Sequence, residues 1–168
     1  MLAECIASVQ KQTHKPTEHL IAVDYARAGP SEMRNRLLAS AIGEWIAVLD
    51  DDDLLLPQHL QKLSAAPGDI IYGYCEVTGR SEWNPNRGFS ASDLRHGNYI
   101  PVTALVRASL LHELHGWRSK EDSHAGLEDW DLYLRALDAG ATFTCVPEVT
   151  WIYRFHGGNR TDRGAKAQ

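Results

Sequence analysis

The chain reads as an α/β fold, a single domain whose mostly parallel central sheet is flanked by helices. Three observations predict it. Short apolar runs alternate with helix-period stretches along the sequence. Those runs are apolar throughout rather than alternating, as strands covered on both faces are. Two of them, residues 20–23 and 45–49, stop at aspartate, at Asp24 and at the four aspartates of 50–53. In open α/β sheets, ligands sit beyond the carboxyl ends of the strands, which is where those acids fall.

Taken in order, residues 2–12 read as a helix with Leu2, Ile6 and Val9 near one face. A turn at 13–16 leads to the apolar run 20–23, too short for a helix and suited to a buried strand. Pro30 and Ser31 open a second helix, with Ser31 as the expected N-cap. Met33, Leu37, Leu38 and Ala41 line one side of it, and Gly43 ends it. Residues 45–49 form the clearest strand. Pro57 begins a helix with Leu60 and Leu63 inward, and 69–77 is a strand followed by a Gly-, Asn- and Pro-rich loop to Asn98. A strand at 102–106 and a short helix at 109–114 come next. Residues 128–139 are an amphipathic helix carrying Trp130, Tyr133, Leu134 and Leu137 on one face, with Gly140 as its stop. Two strands, 142–146 and 149–155, close the pattern.

Composition narrows the function classes. At 168 residues and 43% hydrophobic content, the chain suits one globular domain with a real core. The domain is expected over 1–160, with a flexible polar tail at 161–168. A net charge of −5 argues against a general nucleic-acid binder. Two local basic clusters, Arg27, Arg34 and Arg36, then Arg154 and Arg160, suit a phosphate-bearing small molecule as well as they suit a nucleic acid. Cys5, Cys75 and Cys145 lack the spacing of a zinc ribbon or redox pair, and read as reduced thiols of a cytoplasmic protein. Met1-Leu2-Ala3-Glu4 carries no basic leader region. No stretch approaches the roughly 18 apolar residues of a membrane helix.

The aspartate run carries the chemistry. Neighbouring carboxylates a few ångströms apart repel by several kcal/mol at an effective dielectric near 20. A cation among them removes that cost. Mg²⁺ and Mn²⁺ prefer carboxylate oxygen and keep positions open for substrate phosphates. In an extended segment Asp50 and Asp52 point one way and Asp51 the other, so an Asp-x-Asp at a strand end can grip one metal. The bland alternative is a solvated acidic turn.

Glu128 and Asp129 make a second acidic site at the start of a helix. Acids in a first turn commonly just complement the helix dipole, and Asp131 is read chiefly that way. The Ser123-His124-Ala125-Gly126 stretch before them suits a loop closing on an acceptor. A carboxylate there can act as general base toward a hydroxyl.

Together the ordered motifs resemble the family-two glycosyltransferases of the GT-A fold. They are Ser8–Thr13, Arg34-Asn35, Ala41–Ile46, Leu49–Asp53, Gly116-Trp117, Glu128–Leu132 and Tyr153–His156. The resemblance covers nearly the whole chain and implies roles. Asp50 and Asp52 match the Asp-x-Asp pair that holds Mn²⁺ or Mg²⁺, Asp52 being the direct ligand and His156 a further one. Asp129 matches the general base, with Glu128 on the acceptor side. Asp24, Arg34, Asp50, Asp51 and Arg154 fall on the side of the nucleotide and its phosphates. Trp117 and Trp130 are placed at the sugar or acceptor. The implied donor is a nucleoside-diphosphate sugar and the implied acceptor a hydroxyl of unspecified class. Two departures stand out. The sequence starts at the helix that normally follows the family's first strand, and Asp24-Tyr25-Ala26-Arg27 replaces the usual Asp-Asp-Gly-Ser. An uncovered central strand edge is costly, so a compensating contact, such as a homodimer, is expected there.

Two rival readings use the same residues. A non-catalytic nucleotide- or sugar-binding module would show no donor turnover. Another phosphate enzyme, such as a nucleotidyltransferase, would release pyrophosphate or phosphate rather than a nucleoside diphosphate. No glycine-rich phosphate loop or nucleophile elbow points to other classes.

Overall fold

The structure, a computed structural model, describes residues 1–79 and 84–156. Arg160 and the tail expected at 161–168 lie outside them. Helix α1 spans Leu2–Gln10 and turns Cys5, Ser8 and Val9 inward. Its end is fixed by buried Gln12, whose side chain donates to the Leu56 carbonyl and accepts from the Leu60 amide. Helix α2 (Pro30–Leu38) starts from Gly29 as N-cap and ends before Gly43. Ser31, expected to cap it, instead lies buried in its first turn, because Pro30 already occupies the first helical position.

The strands are β1 (Trp45–Ala47), β2 (Leu54–Leu55), β3 (Ile70–Thr78), β4 (Leu105–Arg107) and β5 (Phe143–Arg154). They form one five-stranded sheet in the order β1-β4-β3-β5-β2. The expectation of a mostly parallel sheet is corrected here. Only β3 and β5 run parallel, whereas β1–β4, β3–β4 and β2–β5 are antiparallel. The reason lies with residues 20–23, which form no strand. Leu20, Ile21 and Val23 are 37%, 51% and 56% exposed, so the run offers β1 no parallel neighbour. Among the described residues β1 pairs on one side only, with β4 running back along it.

Strand β5 is continuous where two strands were expected. Its register against β3 slips around Gly73 and Tyr74, as Val146 and Val149 pair with successive residues there. Pro147 lies in the slip and has no amide to give a ladder. Gly73 is required there, since a Cβ would lie 2.3 Å from the Thr150 hydroxyl oxygen.

Helices α3 (His59–Ser64), α4 (Ala91–His96), α5 (Ala108–Glu113) and α6 (Glu128–Asp138) complete the fold, with a short 3₁₀ turn at His124–Gly126. Helix α4 falls inside the expected loop. Ser90 caps it by accepting the Asp93 amide, a local signal that glycine and proline nearby obscure. The main core gathers Ile70, Tyr72, Leu94, Leu111, Leu132 and Tyr133 between the sheet and α4, α5 and α6. The start of α6 is linked to the turn after β1 through Arg34 of α2. No helix among the described residues is long and apolar enough to cross a membrane.

Candidate active site

The chain leaves β1 and turns tightly, the Asp53 amide donating to the Asp50 carbonyl at 3.2 Å. The four aspartates are therefore a turn and not an extended segment, and the alternation expected for Asp50 and Asp52 does not apply. Each acid takes a different environment. Asp50 accepts from Arg34 Nη2 at 3.1 Å. Asp51 is exposed. Asp52 Oδ2 lies 3.1 Å from His156 Nε2. Asp53 is buried, and its Oδ1 accepts the Arg154 amide at 3.0 Å, tying the turn to the end of β5. Burial, reinforced by the charges of Asp52 and Asp50, pushes the Asp53 carboxyl up to about 7. The Arg154 guanidinium donates to the Asp52 carbonyl and to Glu4.

Helix α2 supplies the connection to the second acidic site. Arg34 is 9% exposed and donates through Nη1 to Glu128 Oε1 at 2.8 Å while holding Asp50 with its other terminal nitrogen. Glu128 is 2% exposed. One guanidinium fork thus neutralises carboxylates from two distant parts of the chain, the geometry arginine provides and lysine does not. The next residue, Asn35, clamps the backbone of Trp117, giving Nδ2 to its carbonyl at 2.7 Å and accepting its amide at 2.9 Å. Gly116 makes room for that clamp. Its φ is +69°, and a Cβ would lie 2.2 Å from Asn35 Oδ1.

Asp129 sits beside Glu128 at the start of α6. Its Oδ1 accepts the Trp130 amide at 2.9 Å and its Oδ2 accepts Asn98 Nδ2 at 3.0 Å. Burial, then the neighbouring Glu128 charge, raises its carboxyl above the ordinary range, while Arg34 pulls the other way. Asp131 is a structural group, bound to Arg135 at 2.7 Å and to the His124 amide at 3.1 Å.

The structure therefore brings Asp50, Arg34 and Glu128 into one network, with Asp129 adjoining it. Asp52, His156 and Arg154 form a second network on the same turn. Other sequence-derived candidates stand apart from both. Asp24 uses both carboxylate oxygens on the Ala28 and Gly29 amides at 2.8 Å, shaping the approach to α2. Trp117 is buried in the main core. Trp130 donates its indole N–H to the Leu94 carbonyl and meets the His124 ring edge-on at 4.4 Å. A cleft of about 430 Å³ opens between residues 14–20 and β1, and Arg34, Leu49 and Trp117 reach it.

Sequence reasoning missed Asn98 and the role of Asn35. Neither carries a charge, and a lone Asn after Gly97 reads as a turn. Asn35 had one signal, its place directly after Arg34 in a quoted motif.

The donor set also bears on a cation. Among the described residues, no group of three or more His, Cys, Asp or Glu could hold a metal ion. Asp52 and His156 nonetheless make a close carboxylate–imidazole pair, whereas Asp50, expected beside them as a ligand, is held by Arg34. This pair fits a hard divalent ion that arrives with its phosphates and fills its other positions with their oxygens and water. It does not fit an ion caged by protein alone.

No family model matches the sequence. Among curated proteins, the chain is 28% identical over 203 residues to the uncharacterized glycosyltransferase YwdF of Bacillus subtilis, covering 98% of this chain and 74% of that protein. It is 29% identical over 169 residues to the succinoglycan biosynthesis protein ExoO of Rhizobium meliloti, covering 86% and 47% respectively. Among solved structures, it superposes on S. aureus TarS 1–349 in complex with UDP-GlcNAc with a TM-score of 0.72 at 15% identity. That match covers 94% of this chain and 56% of TarS 1–349. The chain thus spans about half the length of ExoO and of that TarS fragment.

Proposed function

We infer that this chain, a family-two glycosyltransferase of the GT-A fold, moves a sugar from a nucleoside-diphosphate sugar to an acceptor hydroxyl with inversion at the anomeric carbon. The observation that carries this reading is the meeting of two acidic centres through Arg34, one on the turn after β1 and one at the start of α6. Separately, each is an ordinary acidic turn or helix start. Joined, they give a donor side and an acceptor side a few side chains apart. The UDP-GlcNAc held by the similarly folded TarS supports a nucleotide-sugar donor.

Asp52 and His156 would hold Mn²⁺ or Mg²⁺, which when bound supplies neutralisation of the charge on the leaving diphosphate. The protein's own groups do the rest. Asp129 accepts the acceptor's hydroxyl proton as that oxygen bonds to the anomeric carbon and the bond from that carbon to the diphosphate oxygen breaks. Its raised proton affinity suits a general base. Glu128, charged and locked to Arg34, keeps Asp129 from sharing that cation fully. Arg154 and Arg34 hold the turn in shape against the repulsion of its carboxylates.

The free cysteines support a reducing, cytoplasmic setting, where nucleotide sugars are made. A second copy of the chain covering the open flank of β1 belongs to the same reading, supported by the exposed Leu20, Ile21 and Val23. The test of function is donor turnover. The reading expects Mn²⁺-dependent release of nucleoside diphosphate from a nucleotide sugar, lost in Asp129→Asn. Release of pyrophosphate instead would assign a nucleotidyltransferase, and binding without turnover a non-catalytic module.

A further inference from the structure

Three hydrogen bonds join one short segment to the start of α6. Leu94 O accepts the Trp130 indole N–H at 2.7 Å, and Pro101 O accepts the Tyr133 hydroxyl at 2.7 Å. Between these two anchors, Asn98 Nδ2 reaches Asp129 Oδ2 at 3.0 Å. Leu94 and Ile100 are fully buried, so the segment that carries Asn98 is pinned on both sides of it. The amide of Asn98 is oriented independently. Its Oδ1 accepts the Ile100 amide at 3.1 Å, an Asx-turn that leaves only the N–H₂ end to face the carboxylate. On the other oxygen, the Trp130 amide fixes Oδ1. The Asp129 carboxylate is thereby held at both oxygens, and its rotation is set by a neutral donor on another element.

We propose that Asn98 is the positioning residue of Asp129: it fixes the carboxylate's plane, so that the unshared lone pairs face the acceptor, and stabilises its charged form between turnovers. This rests on the reading of Asp129 as general base. The charged groups whose fields reach Asp129 are Glu128 on its own helix and Arg34 from α2. Tyr133, one turn further along α6, is the titratable group beneath it. Asn98 is the uncharged donor in this set, and a side-chain N–H on a carboxylate favours the ionised form.

The two ends of the amide make the proposal testable, because Asn98→Asp keeps the acceptor that the turn needs and loses the donor that Asp129 needs. The experiment measures nucleoside diphosphate released from UDP-GlcNAc, with Mn²⁺ and water as acceptor, across pH for the wild type, Asn98→Asp, Asn98→Ala and Asp129→Asn. Circular dichroism checks that each variant is folded. The proposal expects kcat to fall by about 10- to 100-fold in both Asn98 variants with donor KM held. It expects the acid limb of the profile to move to higher pH, furthest in Asn98→Asp, where a like charge is added. A limb that stays in place in folded Asn98→Asp, or a profile in which Asn98→Asp matches the wild type while Asn98→Ala does not, overturns it and leaves Asn98 a turn residue. Undiminished release by Asp129→Asn defeats the base assignment itself, a separate outcome.

Discussion

Arg34 and Glu128 meet at 2.8 Å across 94 positions of sequence, and both are almost fully buried. The same guanidinium holds Asp50 at 3.1 Å. A charge that far from water is tolerated only with its partners in place. The bridge therefore couples the turn after β1 to the start of α6, so that neither acidic centre is built alone.

Removing the bridge should be costly. Arg34→Ala leaves Glu128 buried without its cation, and the loss expected from breaking a buried pair is about 3–5 kcal/mol. Arg34→Lys should recover only part of it, since an ammonium cannot serve both carboxylates in the forked geometry. Urea unfolding of the two variants and of Glu128→Gln checks this, with Glu128→Gln the mildest because its amide oxygen still accepts from Nη1.

Asp129 and Asp131 lie two residues apart on α6 but are assigned different roles. Asp129→Asn should lower turnover by roughly 10²–10⁴ with the fold intact. Asp131 is committed to Arg135 and the His124 amide, so Asp131→Asn should lower the melting temperature and leave kcat within a few-fold. Steady-state kinetics beside thermal unfolding separates the two.

His59 sets a pH dependence of stability. It is fully buried, with Nε2 facing the Thr103 carbonyl at 3.1 Å and Nδ1 facing the Thr150 hydroxyl at 3.0 Å. The carbonyl can only accept, so Nε2 carries the proton of a neutral ring. Burial lowers its pKa from 6.5 to about 4. The unfolded chain then binds the extra proton first as pH falls. Stability is fully present above pH 6.5 and is lost toward pH 4, by on the order of 3 kcal/mol from this residue. Denaturant melts from pH 8 to 4 should show that loss in the wild type and a flatter acid limb in His59→Gln.

Gly116 and Asn35 should behave as one unit. Gly116→Ala forces a side chain into positive φ and onto Asn35 Oδ1, and should cost more than about 1 kcal/mol. In an Asn35→Ala background the clash is gone and only the backbone strain remains, so the second cost should be smaller. A double-mutant cycle by urea unfolding reads the difference.

Much of this was legible in the residues. The strand read at 45–49 starts where hydrophobic pattern puts it but covers only Trp45–Ala47, and the helix from 128 stands where expected, with Leu132, Tyr133 and Ala136 in the main core. The acids at the β1 exit and the α6 start were visible as charge beside apolar segments. What pattern misread depends on pairing. Residues 20–23 have the composition of a strand, but a strand needs a neighbour, and composition does not say whether one is there. The sheet's direction follows from which short strands fill the flanks, β4 and β2, and two or three residues carry too little pattern to tell. Asn98 was invisible for a different reason. Its importance lies in what its amide faces 31 positions away.

The measurement that bears most directly on the whole account is calorimetric titration of UDP with Mn²⁺ into the wild type and into Asp52→Asn. The account predicts binding that needs the metal and weakens at least about tenfold, roughly 1.4 kcal/mol, when Asp52 loses its charge. Binding of equal strength in both proteins, or metal-independent binding, would contradict the assignment of the acidic turn after β1 as the seat of the donor's diphosphate.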